Sequence, residues 1–425
     1  MKVNRRDFFK FASATGLVIP SWALIPIAHA QSSIYAGRVL INIHASGGID
    51  QSSWTDPRAT DATINNYAAA GTPVVQQGNI RMAPMGNNAA FLAAHYTRML
   101  VINGVHSETN GHEDGTRSQA TGKVGMGYPN VAELFANVYG KGLPFPWLNS
   151  GGFSESVGLA APTPMPNATA LNALATPNFA SSTNDFMKQA DLDKALAARG
   201  ERVRAMLARG DAVPRANVVG NQFVASDESR ALLKRVAAFI PATFDAGFPQ
   251  AHAGLIAAQA GIASTIQLST GGFDGHNQLA TSYATALPRL TDLIDYVWQK
   301  SAALGIADRI MVRVYSEFGR TVLNSGNGKD HWAAGGTVLL MEANPAWGNR
   351  VVGATGPRHQ SVMIDPATGA VVASGGVVIK PAHVHDALRR YLGIETTDPR
   401  FNLKVPTTER IDFFNPTIRT GYPNA

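Results

Sequence analysis

Cysteine is absent from this chain of 425 residues. Its absence excludes disulfides, thiolate metal sites, iron–sulfur clusters and cysteine nucleophiles. Any metal must therefore be held by Asp, Glu and His. Charge is also sparse, since Asp, Glu, Lys and Arg make up only 16% of the residues. No cluster of Lys and Arg interleaved with aromatics occurs, so no nucleic-acid partner is expected. No internal repeat and no long disordered tract stands out. The apolar run from Phe11 to Ile27 is interrupted by Ser13, Thr15, Gly16, Pro20 and Ser21, and it is short for a spanning helix.

That run belongs to a targeting pattern. Arg5 and Arg6 precede the aromatic pair Phe8-Phe9, the apolar stretch follows, and Ala28-His29-Ala30 forms an A-x-A cleavage site. Together they predict a twin-arginine (Tat) export signal over residues 1–30, a mature chain from Gln31, a periplasmic location and no stable membrane insertion after cleavage. Tat carries folded passengers, which often have a cofactor loaded first. Cleavage removes Lys2, Arg5, Arg6, Lys10 and Asp7 from the 36 basic and 30 acidic residues, leaving a net charge of +3. Residues 31–425 are expected to form one α/β domain, which is long enough to bury a large core.

Within it, "GRVLINIHASGGIDQ" (Gly37 to Gln51) is a β-branched run ending in a Gly-Gly turn and Asp50. "MLVINGVH" (Met99 to His106) repeats the pattern and leads into the polar loop "SETNGHEDGTRSQATGK". Continuous apolar runs suit strands buried on both faces. A helix is predicted over Asn130 to Tyr139, with Asn130 as its cap. Residues 155–185, rich in Ala, Pro, Asn, Thr and Ser, read as a surface insertion or lid. Asp191 to Arg209 and Asp227 to Phe239 read as helices, so residues 155–245 form a helical excursion from the core. From His252 the rhythm returns: a helix, the strand "ASTIQLS", a helix with Leu287, Leu290, Ile294, Val297 and Trp298 on one stripe, then the strands "RIMVRVY" and "GGTVLLMEA". The amphipathic helix "HVHDALRRYLG" follows near the C-terminus. Alternating strands and helices predict a mainly parallel central sheet sandwiched by helices.

Each predicted strand ends in polar chemistry, the position where α/β sheets place ligands. Asp50 follows the first strand, and His106 and His112 follow the second. Asp274 and His276 lie in "GGFDGHNQ", Glu317 and Arg320 in "SEFGR", and Asp330 and His331 in the loop beyond. A lone Asp-x-His in a glycine turn is usually a turn carboxylate beside a solvent-facing histidine. Repetition at several strand ends shifts the balance towards a site. Arg320 could instead pair structurally with Glu317. His44 reads as core, and His95, His252, His359, His383 and His385 as surface or helix residues. Gly47-Gly48 and Gly271-Gly272 are turn glycines first and an anion-approach surface second.

"GGFDGHNQ" before a long helix, "YSEFGRT", "GKDHWAAGG", "GHEDGTRSQATG" and the twin-arginine start resemble the Tat-exported domain-of-unknown-function 1501 family, in the alkaline-phosphatase/sulfatase-like superfamily. The resemblance spans nearly the whole mature chain and is strongest from about residue 250 to 340. It implies an alkaline-phosphatase-like fold and a metal site built from Asp50, Asp274, His276, Glu317, Asp330 and His331, holding divalent zinc, manganese, calcium or magnesium. Two hard divalent ions would be the natural complement. Glu317 replaces a metal-binding Asp of the wider superfamily, and the histidine that follows that Asp is absent. His112 stands nine residues before Thr121-Gly122, where sulfatases carry a Cys or Ser nucleophile, so His112 and Arg320 are the implied catalytic residues. Ser107, Thr109, Thr116 or a water are the alternative nucleophiles. The resemblance thus implies hydrolysis of a small anionic phosphate or sulfate ester. The competing expectation is a non-catalytic periplasmic binding or assembly protein that keeps the fold. No protein partner can be named from the sequence.

Overall fold

A computed structural model describes residues 34–165, 167–176, 178, 184–211, 213–396 and 398–423. The stretch predicted to be a Tat signal, residues 1–30, lies outside the described residues. The main sheet has eight strands: Val39–Ala45 (β1), Met99–Val105 (β2), Trp147–Ser150 (β3), Thr163–Pro164 (β4), Thr265–Thr270 (β5), Ile310–Tyr315 (β6), Gly336–Glu342 (β7) and Arg350–Val352 (β8). Their order across the sheet is β8-β2-β7-β6-β1-β5-β3-β4. Every pairing is parallel except those of β7, which runs antiparallel to β2 and β6. This is the mainly parallel, helix-flanked sheet that the alternating sequence pattern predicts.

Both faces of the sheet are covered, and β1 shows how the sequence divides between them. Its seven residues are all buried. Val39, Ile41, Ile43 and Ala45 join one apolar cluster, whereas Leu40 joins another. That alternation is the period-two geometry of a strand, and it places Asn42 and His44 on the face of Leu40. The helix Leu279–Ala303 packs the first face through Leu287, Leu290, Ile294, Val297 and Trp298, the predicted stripe. The helices Val131–Tyr139 and Pro381–Leu392 pack the second. Asn130 caps the former as expected, its side chain accepting the Glu133 N–H at 2.8 Å.

Residues 155–245 contribute the edge strand Thr163–Pro164 (β4) to the sheet, a pairing the reading of this stretch as a lid and helical excursion does not include, and then run mainly as helices. The first long helix is Gln189–Arg209, but the second runs Pro214–Val236, beginning thirteen residues before the predicted Asp227. Its early turns hold Asn217, Val218, Val219 and Gly220, poor helix formers that hide the start, while Pro214 at the first turn is the signal that marks it. Among the described residues no helix is long and apolar enough to cross a membrane.

Sheet direction decides what gathers at one edge. β1, β5 and β6 are adjacent and parallel, with Ala45 beside Thr270 and His44 beside Tyr315. The turns after these three strands therefore emerge side by side. Because β7 runs the other way, the segment that precedes it, including Asp330 and His331, arrives at this same edge. From β2 the chain passes through a loop into the helix His112–Thr121 (α1), whose first residue reaches the cluster.

Candidate metal centre

The turn after β1 is a receptor for a carboxylate. Gly47 and Gly48 take φ of 120° and 79°, conformations that favour glycine. A Cβ on Gly47 would meet the Asp274 amide nitrogen at 2.5 Å, and one on Gly48 would meet Phe318 at 2.4 Å. Two glycines thus let three turns close on one another. Both glycine N–H groups donate to Glu317, at 2.8 and 3.0 Å from Gly47 and 2.8 Å from Gly48. Ser316 Oγ adds a third donor at 2.8 Å. Successive amides of this kind form an anion nest, and here the protein's own Glu317 fills it. Burial pushes Glu317 up, but the facing His44 imidazole and the Gly47 amide outweigh burial and hold it at about 2.

The turn after β5 presents Asp274 and His276, and the loop before β7 presents Asp330 and His331. These two loops are laced together by backbone: Lys329 donates to Gly275 at 2.9 Å, Gln278 to Gly326 at 3.0 Å and Leu279 to Asn327 at 2.9 Å. A Cβ at Gly328 would meet the His276 carbonyl at 1.9 Å, so only glycine allows this approach. Arg320, fully buried, donates to Asp274 Oδ1 at 2.6 Å and to the carbonyls of Gly47, Gly48, Phe273 and Lys329. Partial burial raises the Asp274 pKa, but the Arg320 guanidinium overrides it and holds the carboxyl below its usual range.

Hydrogen bonds fix the tautomers of the two histidines. His331 Nδ1 lies 2.8 Å from the Asn110 carbonyl, which can only accept, so Nδ1 carries the hydrogen. His276 Nδ1 lies 3.1 Å from Asp330 Oδ1 and donates in the same way. In the neutral rings both Nε2 atoms are therefore lone pairs. They face each other at 3.0 Å, and Asp274 Oδ1 stands 3.0 Å from the one on His276 and 3.4 Å from the one on His331. Three acceptors converge with no donor among them except Arg320, which is bonded to Asp274 Oδ1. One proton relieves one of these contacts; a cation relieves all three. Carboxylate or carbonyl partners on the outer ring nitrogen are also the usual support for metal-binding histidines. His112 completes the group: His112, Asp274 and His331 each offer a ligand atom within 4.8 Å of the others. This donor set, imidazole with carboxylate, suits a divalent cation.

The remaining candidates occupy distinct places. Asp330 is a partner of His276 rather than a member of the converging group. Glu317 sits behind His112, 3.6 Å from its Nδ1, with its oxygens already engaged by the nest. Arg320 pairs with Asp274 and makes no ion pair with Glu317. Asp50 is enclosed by Lys329 Nζ at 2.9 Å, Ser52 Oγ at 2.8 Å and Ser53 Oγ at 2.5 Å, and stands outside the group. Among the hydroxyls, Ser107 is buried and committed to the carbonyls of Thr109 and Ala333, whereas Thr116 borders the cleft.

That cleft, of about 710 Å³, is lined by His44, Gly47, His112, Glu113, Phe153, Glu155, Asp274 and Glu317 among others. His44 borders it and stacks on Tyr315, so it is a site-edge residue as well as a strand residue. Asn42 and His44 at alternate positions of an apolar strand are the sequence signal that one face meets something polar. His359, expected on the surface or a helix, is fully buried in a loop; His95, His252, His383 and His385 are buried helix residues.

Residues 254–366 match a family model described as protein of unknown function (DUF1501). Asp274, His276, Glu317, Arg320, Asp330 and His331 all lie inside the matched segment; Asp50 and His112 lie outside it. No curated protein matches the chain. Similar solved structures include the lipoteichoic acid synthase LtaP from Listeria monocytogenes, at 10% identity and a TM-score of 0.36, covering 96% of this chain and 82% of that one. TAB5 alkaline phosphatase shows 10% identity and a TM-score of 0.31, over 72% of this chain and 92% of that one. A 2-O GAG sulfatase shows 8% identity and a TM-score of 0.30, over 85% of this chain and 72% of that one.

Proposed function

We propose that this chain is a metal-dependent hydrolase of phosphate or sulfate esters, exported by a Tat signal at residues 1–30 to the periplasm. Asp274, His276, His331 and His112 would hold a divalent cation, and Glu317 and Arg320 would position them. The observation that carries the proposal is the convergence of two histidine lone pairs and the Asp274 carboxylate at 3.0–3.4 Å. The motifs "GGFDGHNQ", "SEFGR" and "GKDHW" support it, because the superfamily they resemble hydrolyses such esters.

A bound divalent cation supplies Lewis-acid stabilisation of charge developing on an ester oxygen. The chain supplies orientation. Arg320 fixes Asp274, Asn110 fixes His331 and Asp330 fixes His276. Gly47, Gly271 and Gly272 border the cleft without side chains, which allows a tetrahedral ester close approach. His112 opens α1, where unpaired helix amides favour a negative oxygen. Its Nε2, 3.7 Å from Asp274 Oδ2, is placed to take or give a proton at the ester when it is not engaged by the cation.

The test is a metal analysis of protein purified without chelator, alongside assays on aryl phosphates and sulfates. Stoichiometric zinc, manganese, calcium or magnesium is expected, lost in Asp274→Asn and His331→Ala, with hydrolysis that a chelator abolishes. A stable, metal-free protein without metal-stimulated hydrolysis overturns the proposal in favour of a binding or assembly role.

A further inference from the structure

A second cavity, of about 410 Å³, lies at the other edge of the sheet. Arg350 begins β8 and pairs with Leu100 near the start of β2, whereas the candidate metal centre gathers where the parallel strands end. Three segments enclose the cavity: the hairpin of Val75–Gln77 and Ile80–Met82, the start of β8, and the chain from Arg419 to Tyr422. Each contributes one arginine, Arg81, Arg350 and Arg419. Among the described residues no Asp or Glu lines this cavity, and none of the three arginines makes an ion pair. Like charges gathered around one space repel each other, and an anion between them turns that repulsion into attraction.

Arg350 supplies an independent observation. It is only 5% exposed, and burial lowers its pKa to about 10, with the Asp412 carboxylate opposing. Its guanidinium donates to the carbonyls of Trp347 at 3.0 Å, Ile418 at 2.6 Å, Asn415 and Phe413. These oxygens satisfy hydrogen bonds but carry no charge, so a buried cation lines the cavity without the paired anion that buried charges normally have. Nη2 has one acceptor for its two hydrogens and keeps a donor free. Fastening the C-terminal segment to β8 explains those bonds; it does not explain two further arginines. Arg81 is committed at Nε alone, to Gln76 Oε1 at 3.0 Å, while its guanidinium carbon stands 5.7 Å from the Tyr422 ring centroid. Arg419 bonds Thr368 through its backbone N–H, and its guanidinium has no hydrogen-bond acceptor among the described residues.

We infer that this cavity binds a phosphoryl group, as free phosphate or as the headgroup of a phospholipid. Open N–H groups from three segments suit a tetrahedral anion, whose oxygens point in several directions, better than a planar carboxylate. Guanidinium forks also match phosphate bidentately. The site lies at the opposite edge of the sheet from the candidate metal centre and does not rest on the hydrolase proposal.

The test is calorimetric titration of inorganic phosphate into the full chain, with chelator present and ionic strength fixed. Saturable one-to-one binding is expected. Arg81→Gln and Arg419→Gln remove charge-assisted bonds from side chains outside the core, and each should weaken binding about tenfold or more. His331→Ala, at the metal centre, should leave phosphate affinity at this cavity unchanged. Co-sedimentation with phosphatidic acid vesicles, beside phosphatidylcholine vesicles, separates the two sources. Selective co-sedimentation that phosphate competes away and the double arginine substitution abolishes assigns the headgroup; phosphate binding without co-sedimentation assigns the free ion. Absence of saturable phosphate binding, binding that survives the double substitution, or binding lost in His331→Ala overturns the inference.

Discussion

Lys329 and Asp50 form a fully buried ion pair behind the candidate site. Burial drives the Lys329 pKa down and Asp50 opposes it, so the two charges depend on each other. Lys329→Met leaves Asp50 uncompensated and should cost about 3–5 kcal/mol in urea denaturation. Adding Asp50→Leu should recover most of that loss; a double variant no more stable than the single would show that the pair is not the source. The sequence places Asp50 at the right strand end, but nothing in it shows a lysine 279 positions away closing over that carboxylate. Glu317 carries a similar lesson. Three ligand-like carboxylates in one cluster should repel, so removing one would be expected to do no harm. The nest reverses that expectation, because Glu317→Ala orphans the buried amides of Gly47 and Gly48, at roughly 1–3 kcal/mol for each group. Glu317→Gln retains an acceptor for them and should recover much of the stability, without restoring the charge that faces His112. Thermal melts of both variants beside their metal content would separate the two roles, and equal stabilities would refute the nest's contribution.

At the scale of elements, strand direction and close helix contact build the site. His331 precedes its strand and Asp274 follows one, yet the antiparallel course of β7 brings them to one edge. The apolar pattern of "GGTVLLMEA" reveals a buried strand and is silent about its direction, since a strand buried on both faces reads the same either way. The gathering of these loops was therefore legible only through the repeated polar strand ends. α1 adds its own requirement at Gly115, where a Cβ would stand 3.0 Å from both the Glu317 Cβ and carbonyl oxygen, and 3.2 Å from Phe318. Alanine is the better helix former by about 1 kcal/mol, so glycine here answers to packing. Gly115→Ala should push α1 off the Glu317 turn, cost about 1–3 kcal/mol through overpacking and carry His112 away from Asp274. Metal affinity should fall with it. A variant with raised melting temperature and unchanged metal binding would show that the helix can move without consequence.

For the molecule as a whole, the sheet, its flanking helices and most loop positions follow from the periodicity of the apolar residues, whereas the partners of buried polar groups do not. His359 and His385 make the difference plain. Both are fully buried, and burial holds each well below the ordinary histidine value of 6.5. His95, His252 and His383 are lowered too, again by burial first. No single-sequence pattern separates them from surface histidines, because their neutrality depends first on burial and then on neighbours the fold brings in, such as Arg313 beside His385. Their sum has a sign. In the window below 6.5 the unfolded chain binds protons that the folded chain refuses, so stability falls as pH is lowered. Glu133 and Glu342, raised by burial, work the opposite way, losing stability as pH rises through their folded values. Five groups against two leave the histidines dominant, and the melting temperature should drop from pH 7 to pH 5.5, measured with chelator so that metal loss makes no contribution. His385 Nε2 donates to the Gln119 carbonyl at 2.8 Å, a bond that a glutamine amide can replace. His385→Gln should then flatten the stability profile by one proton's worth, about 1.4 kcal/mol per pH unit in that window. An unchanged slope in this variant would mean that His385 is charged in the folded chain despite the two arginines beside it.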